Sequence, residues 1–184
     1  MKTVKILEEF RTEVNRSKFI AFIMPISDEK GFQTKLKKQH PKANHVVYAY
    51  RYLNEFEQIV ENSSDDGEPK GCAGMPILNV LRGEQLINCA VFVVRYFGGI
   101  KLGTGGMARA YALSLKNLLK ETTLICYEKE ENYIFLSHYN QVDKILYQLK
   151  KLGLEKYERE FGMKSVSWSV YGTQEKLSLL KKTL

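Results

Sequence analysis

Five glycines fall within nine residues, Gly98-Gly99-Ile100-Lys101-Leu102-Gly103-Thr104-Gly105-Gly106, and this run constrains the fold more than any other stretch of the chain. An apolar segment, Ala90-Val91-Phe92-Val93-Val94, leads into it through Arg95. A helix-periodic segment, Met107, Tyr111, Leu115 and Leu118, leaves it. The unit reads as strand, glycine loop, helix. Without Cβ atoms, backbone amides there can approach a ligand closely and take positive φ. The helix start that follows adds partial positive charge, and Lys101 and Arg95 add full charges. The pattern points to an anionic partner, most simply a phosphate. Whether that phosphate belongs to a nucleotide, an RNA backbone or a metabolite stays open, as does a purely architectural role in letting helix pack on sheet.

Two familiar nucleotide motifs fail on this run. Gly103-x-Gly105-x-x-Ala108 matches the dinucleotide fingerprint, and Glu128 follows where a ribose-binding acid belongs. The stretch from Arg95 to Leu102 is too long for the tight turn that motif needs, and too little chain follows to complete a doubly wound sheet. A P-loop fails because Thr104 stands where Lys is required and Gly105 where Ser or Thr is required.

The rest of the chain alternates strand and helix. Lys18 to Met24 is a buried strand ended by Pro25, and Ser27 or Asp28 caps a helix running to about His40 with Phe32 and Leu36 on its apolar side. His45 to Tyr52 is a strand, and Gln58 to Val60 a weaker one. Ser63 to Pro69 is an acidic turn, and Pro76 opens a helix closed by Gly83. Beyond Glu121 the composition changes. Tyr133 to Leu136 is strand-like, and Val142, Ile145, Leu146 and Leu149 trace a helix face. Glu155 to Phe161 and Val166 to Val170 alternate as strands about a turn at Gly162, and Thr173 caps a last helix with Leu177 and Leu180. The fold class expected is α+β, with a boundary near residue 125: residues 1–125 form the glycine-run domain and 126–184 a small βαββα domain of ferredoxin-like pattern.

Charge adds a partner class. The net charge is +7, and residues 1–120 hold 18 Lys and Arg against 12 Asp and Glu. The excess lies with the glycine run, as expected for a polyanion-binding surface. No apolar run is long enough to span a membrane, and the first residues lack a signal-peptide core, so the location expected is cytoplasmic. Three widely spaced cysteines form no metal or redox motif. Cys89 and Cys126 sit in apolar surroundings and read as buried thiols, while Cys72 in a glycine-rich stretch is the candidate nucleophile. No cofactor and no metal are expected.

The candidate phosphate-binding set is Lys70, Arg95, Gly98, Gly99, Lys101, Gly103, Gly105, Gly106 and Arg109. The supporting set is His45, Arg51, Asp65, Asp66 and Glu68. The three acids are a sparse set for a metal. They are expected instead to cap the following helix or to pair with Arg95 or Lys101 and hold the basic residues in place. Along the His45 strand, Tyr48, Tyr50 and Tyr52 share one face and Val47, Ala49 and Arg51 the other. The tyrosine face is expected to turn to the core, which would exclude base stacking on it. Lys35, Lys37, Lys38 and Lys42 form a basic helix edge.

Three blocks taken together resemble the YigZ/IMPACT family. They are Asn44-His45-Val46-Val47-Tyr48-Ala49-Tyr50-Arg51, then Ser64-Asp65-Asp66-Gly67-Glu68-Pro69-Lys70-Gly71-Cys72-Ala73-Gly74, then Val93 through Gly106. The resemblance implies two domains: an N-terminal one sharing the fold of elongation factor G domain IV and of the second domain of a small-subunit ribosomal protein, and a ferredoxin-like C-terminal one. It implies no agreed catalytic role for His45, Arg51, Asp66, Gly67, Glu68, Arg95, Gly98, Gly99 or Gly103. Eukaryotic members act in translational control through protein partners. The leading expectation is a non-enzymatic protein that binds RNA or the ribosome, with a protein partner also open and neither DNA nor membrane expected. Two alternatives stay open. One is a hydrolase or transferase using His45, Asp66 and Glu68, with Cys72, on a small phosphorylated or peptide substrate. The other is a protein-interaction module.

Overall fold

A computed structural model of the chain describes residues 1–26 and 29–184, with Glu29 and Lys30 given by their backbone alone. In chain order the elements are β1 (Lys2–Thr3), β2 (Glu8–Val14), β3 (Ser17–Pro25), α1 (Glu29–Gln39), β4 (His45–Leu53), β5 (Ile59–Ser64), α2 (Gly74–Gly83), β6 (Cys89–Tyr96) and α3 (Gly103–Glu121). There follow β7 (Ile125–Cys126), β8 (Glu131–Ser137), a single 3-10 turn (Tyr139–Gln141), α4 (Val142–Lys151), β9 (Tyr157–Phe161), β10 (Val166–Gly172) and α5 (Gln174–Thr183). The chain divides into two compact units, Met1–Tyr127 and Glu128–Leu184. The expected cap of α1 at Ser27 or Asp28 lies outside the described residues.

The first unit is a five-stranded antiparallel sheet in the order β2-β3-β6-β4-β5. Both faces are covered. Phe19, Ala21 and Ile23 of β3, Val91 and Val93 of β6, and Val47 and Ala49 of β4 meet α2 and α3. The alternate residues Ile20, Phe22, Val46, Phe92 and Val94 meet Leu36 of α1. This explains why β6 reads as an unbroken apolar run: each alternate side chain lands in a different core, and seven of its eight residues are buried. β1 pairs with β7 and ties residues 2–3 to 125–126.

The tyrosine row meets the expectation in part: Tyr48 and Tyr50 pack against the core cluster beneath α1, but they are not the most buried side of the strand. The fully buried side of β4 carries Val47 and Ala49, both at 0% exposure. Tyr48, Tyr50 and Tyr52 lie on the other side, half-buried, with neighbouring ring centroids 6.1 and 5.9 Å apart. The reason is coverage: two helices blanket one face, and the eleven-residue α1 meets the other. Tyr48 and Tyr50 are stacked in parallel on each other.

The second unit has three antiparallel strands in the order β8-β10-β9. Trp168, Val166 and Val170 of β10 are buried against Ile145 and Leu149 of α4 and Leu177 and Leu180 of α5. The Trp168 indole N–H donates to Ser137 Oγ at 2.9 Å. Thr173 caps α5, its Oγ1 accepting from the Lys176 amide at 3.4 Å. β9 is exposed along its whole length, although its alternation predicts one buried face. It is an edge strand, and the buried cluster formed by α4 and α5 draws on β10, not β9. Cys126 is likewise exposed, because its apolar neighbourhood in sequence forms a two-residue surface strand and not a core strand. Cys89 is buried as expected, and burial pushes its thiol up to about 12, where it stays protonated and inert. Among the described residues no helix is long and apolar enough to cross a membrane.

Candidate functional site

The acidic turn after β5 is an assembly point for three elements. Asp65 accepts hydrogen bonds from the amides of Gly71 at 2.8 Å, Ala73 at 3.1 Å and Gly74 at 2.9 Å. Its carboxylate thereby closes the start of α2, which has no acid in its first turn. Asp66 accepts from the Val46 amide at 2.7 Å and pairs with Lys37 of α1 at 2.5 Å. Its carbonyl accepts from His45 Nδ1 at 2.7 Å. Glu68 points inward, with a side chain only 3% exposed. Its Oε1 pairs with Arg95 Nη1 at 2.5 Å and accepts from the Tyr111 hydroxyl at 2.8 Å. Burial first, and then the negative charge of Glu68, push the Tyr111 phenol far up, so it remains a donor.

Both expected roles of these acids are present: Asp65 caps the following helix, and an acid pairs with Arg95. Glu68 takes Arg95, and Asp66 takes Lys37; Lys101 is not among them. Arg95 was expected to offer its charge to a phosphate. Instead it is 5% exposed, bound by Glu68, and wedged between the rings of Phe19 and Phe97 at 5.7 and 5.8 Å. A buried guanidinium needs such a partner, and its position on β6 beside α3 leaves it facing Met107 Sδ at 3.5 Å. Among the described residues its Nε has no hydrogen-bond partner.

His45 and Glu68 lie on the same side, with Nε2 3.8 Å from Oε2. A cavity of about 250 Å³ opens beside His45, Lys37, His40 and Asp66. The His45 and Glu68 side chains therefore share a side, at a separation longer than a hydrogen bond. The acid oxygens are already engaged: both Asp66 oxygens and Glu68 Oε1 hold partners, and Oε2 faces His45. The half-buried Cys72 thiol contacts the Lys70 carbonyl at 3.8 Å. Among the described residues no group of three His, Cys, Asp or Glu is placed to hold a metal.

Arg51 stands apart from this assembly. It binds Glu61 at 2.9 Å and the carbonyls of Leu81 and Leu86 at 3.3 and 3.0 Å, pinning the end of α2. Arg82, working against burial and joined by Arg51, holds the Glu61 carboxyl below its usual 4.5. A lowered pKa in the folded state means stabilisation that is complete above the ordinary value and is lost as pH falls through the lowered one. Wild type should therefore lose thermal midpoint more steeply below about pH 4.5 than Glu61→Gln, measured by melts between about pH 3 and pH 7.

The glycine run is open to water. Gly99, Lys101, Gly103, Thr104 and Gly105 are exposed, and Phe97 and Ile100 are 46% and 42% exposed. The helix begins earlier than expected, at Gly103, so Gly103, Gly105 and Gly106 belong to the first turn of α3 and not to a loop. That turn has no side-chain cap and no acid. The Arg109 guanidinium folds back over it, 3.6 Å from where a Cβ on Gly105 would stand. Lys70, Lys101 and Arg109 are exposed and make no ion pair among the described residues. Lys70 follows Glu68 by two residues, and Glu68 is bonded to Tyr111 of α3.

Gly98 is different. A Cβ there would stand 2.1 Å from the carbonyl carbon of Arg16 and 2.2 Å from its oxygen. The Gly98 amide also donates to Ser17 Oγ at 3.2 Å. Its role is close packing against the turn between β2 and β3. Sequence reasoning missed this turn, and with it the exposed Arg16, because nothing in residues 14–17 signals a contact 81 positions away. The helical spacing that groups Tyr111 with Met107, Leu115 and Leu118 fits its buried ring and is silent about its hydroxyl.

The Impact N-terminal domain family model matches residues 15–119. An IMPACT family member of Haemophilus influenzae is 40% identical over 114 residues, which are 60% of this chain and 55% of the relative. IMPACT family member YvyE of Bacillus subtilis is 40% identical over 126 residues, 67% of this chain and 57% of the relative. IMPACT family member YigZ of Escherichia coli is 33% identical over 138 residues, 72% and 67% respectively. The chain thus spans little more than half the length of the first two. A crystal structure of a hypothetical protein superposes with a TM-score of 0.68 at 26% identity, over 97% of this chain and 88% of the other. The matched 15–119 segment contains the acidic turn, the buried Glu68–Arg95–Tyr111 cluster and the whole glycine run. On that match, which takes in more than half of its residues, the chain belongs to the IMPACT family.

Proposed function

We propose that this chain is a cytoplasmic, non-enzymatic protein that binds RNA or the ribosome in translation regulation, through phosphate contacts at residues 98–109 with Lys70. The observation that carries the reading is a contrast between two helix starts in one unit. The amides at the start of α2 are filled by the Asp65 carboxylate. The first turn of α3 has no such acid, is exposed, and has Lys101 and Arg109 beside it. A helix start of that kind favours an external anion. Phosphate contacts give affinity with little sequence preference, which suits a partner read by its backbone. The translational setting rests on the family resemblance. The finer fold assignments belong to the same proposal: an elongation factor G domain IV-like first unit, and a ferredoxin-like second unit supported by the βαββα order and the β8-β10-β9 arrangement.

The test is binding of a labelled oligouridylate of about 20 nucleotides, by anisotropy, between about 50 and 200 mM salt. A straight log–log fall of affinity with salt is expected, with a slope of about −0.7 for each phosphate neutralised on a single strand. Lys101→Ala should make that slope shallower by about 0.7 while leaving the melting curve unchanged. Salt-independent binding, or none, sinks the reading.

A further inference from the structure

We propose that the β2–β3 turn forms a second wall of the phosphate site, with Arg16 as its cation, so that the ligand is a chain of phosphates and not a single phosphate group. This rests on the reading of residues 98–109 given above.

Asn15 and Arg16 have φ of +45° and +63°, the conformation of a tight two-residue hairpin turn, and Val14 pairs with Ser17 across it. The turn is pressed onto the glycine run at Gly98, which has no side chain to keep it away. The Ser17 hydroxyl accepts the Gly98 amide and locks the contact. Lys101 follows Gly98 by three residues, so at most about 11 Å of chain separates their backbones. Arg16 and Lys101 therefore stand on adjoining exposed segments, each with a long side chain.

Neither cation has an ion pair among the described residues. Of the hairpin's other cations, only Arg11 has an ion pair among the described residues. Lys18 stands opposite Glu13 in the strand register, and Arg11 lies 3.7 Å from Glu9. Cations on two adjoining segments favour an anion long enough to reach from one to the other. A single phosphate seated on the first turn of α3 satisfies the amides and one cation. A phosphodiester chain reaches the second, which fits the RNA reading and disfavours a mononucleotide ligand.

The experiment uses the same oligouridylate and the full chain. Arg16→Asn removes the charge with a residue that tolerates positive φ, so the turn is kept; Arg16→Lys retains the charge. Arg16→Asn is expected to flatten the salt slope by about 0.7, Arg16→Lys to restore it, and the double variant with Lys101→Ala to flatten it by about 1.4. Uridine monophosphate should compete equally with wild type and with Arg16→Asn. If the oligouridylate binds, Lys101→Ala flattens the slope and Arg16→Asn does not, the second wall is overturned while the phosphate reading stands. If wild type shows no salt-dependent binding at all, both fall.

Discussion

Glu68→Ala should cost the first unit about 3–5 kcal/mol, a large share of the about 5–15 kcal/mol that holds an ordinary domain folded. The substitution removes the carboxylate that binds the Arg95 guanidinium and accepts the Tyr111 hydroxyl. Arg95 is then left as an unpaired charge at 5% exposure, with its Nε already lacking a partner among the described residues. Tyr111, at 0% exposure, is left with an orphan hydroxyl. The cost is that of the uncompensated charge and not of the pair itself. Replacing Glu68 and Arg95 together by methionine should therefore recover most of the loss. Glu68→Gln should fall between, since an amide oxygen still accepts from either neighbour but carries no charge. Urea unfolding followed by far-UV circular dichroism measures this. The single tryptophan, Trp168, lies in the core of the other unit and supplies a separate fluorescence signal. A loss below about 1 kcal/mol for Glu68→Ala would mean that water reaches Arg95 and that the cluster is not a buried ion pair.

Gly98→Ala and Gly99→Ala should rank in the reverse of the order that backbone conformation alone implies. Gly99 has φ of +84°, and a Cβ there meets nothing within 4 Å. Alanine at Gly99 carries the left-handed penalty alone, about 1–2 kcal/mol. At Gly98 a Cβ would stand 2.1 Å from the Arg16 carbonyl carbon and 2.4 Å from the Ser17 nitrogen. Both obstacles are backbone, so no rotamer change relieves the clash, and the β2–β3 turn itself must move. A cost near the upper end of overpacking, about 3 kcal/mol, is expected, read from the same unfolding curves. Gly98→Ala should also weaken oligouridylate binding by displacing Arg16. Equal costs at the two positions would show that the run and the turn are not in tight contact.

The elements were legible where their cause is local. The apolar run of β6, the alternation of β10, the Thr173 cap of α5 and the helix face of α4 all came through, because each depends on residues within a few positions. The start of α3 was misplaced because glycine at Gly105 and Gly106 weakens helix propensity, and packing of Met107 and Tyr111 against the sheet overrides it. The side of β4 that is most buried could not be told from its alternation, since both sides are apolar and only the placement of α1, α2 and α3 separates them.

The candidate site divides along the same line. By itself the sequence determined that a glycine-rich helix start, Lys101 and Arg109 would sit together, because they lie within twelve residues of one another. Tertiary structure alone decided which charges are free. Arg95 is consumed by Glu68, 27 positions away, and Arg16 is brought to the run from 82 positions away, by pairing of β3 with β6. A side chain's charge is written in its residue type; whether it faces water or a buried partner depends on which distant strand the sheet sets beside it.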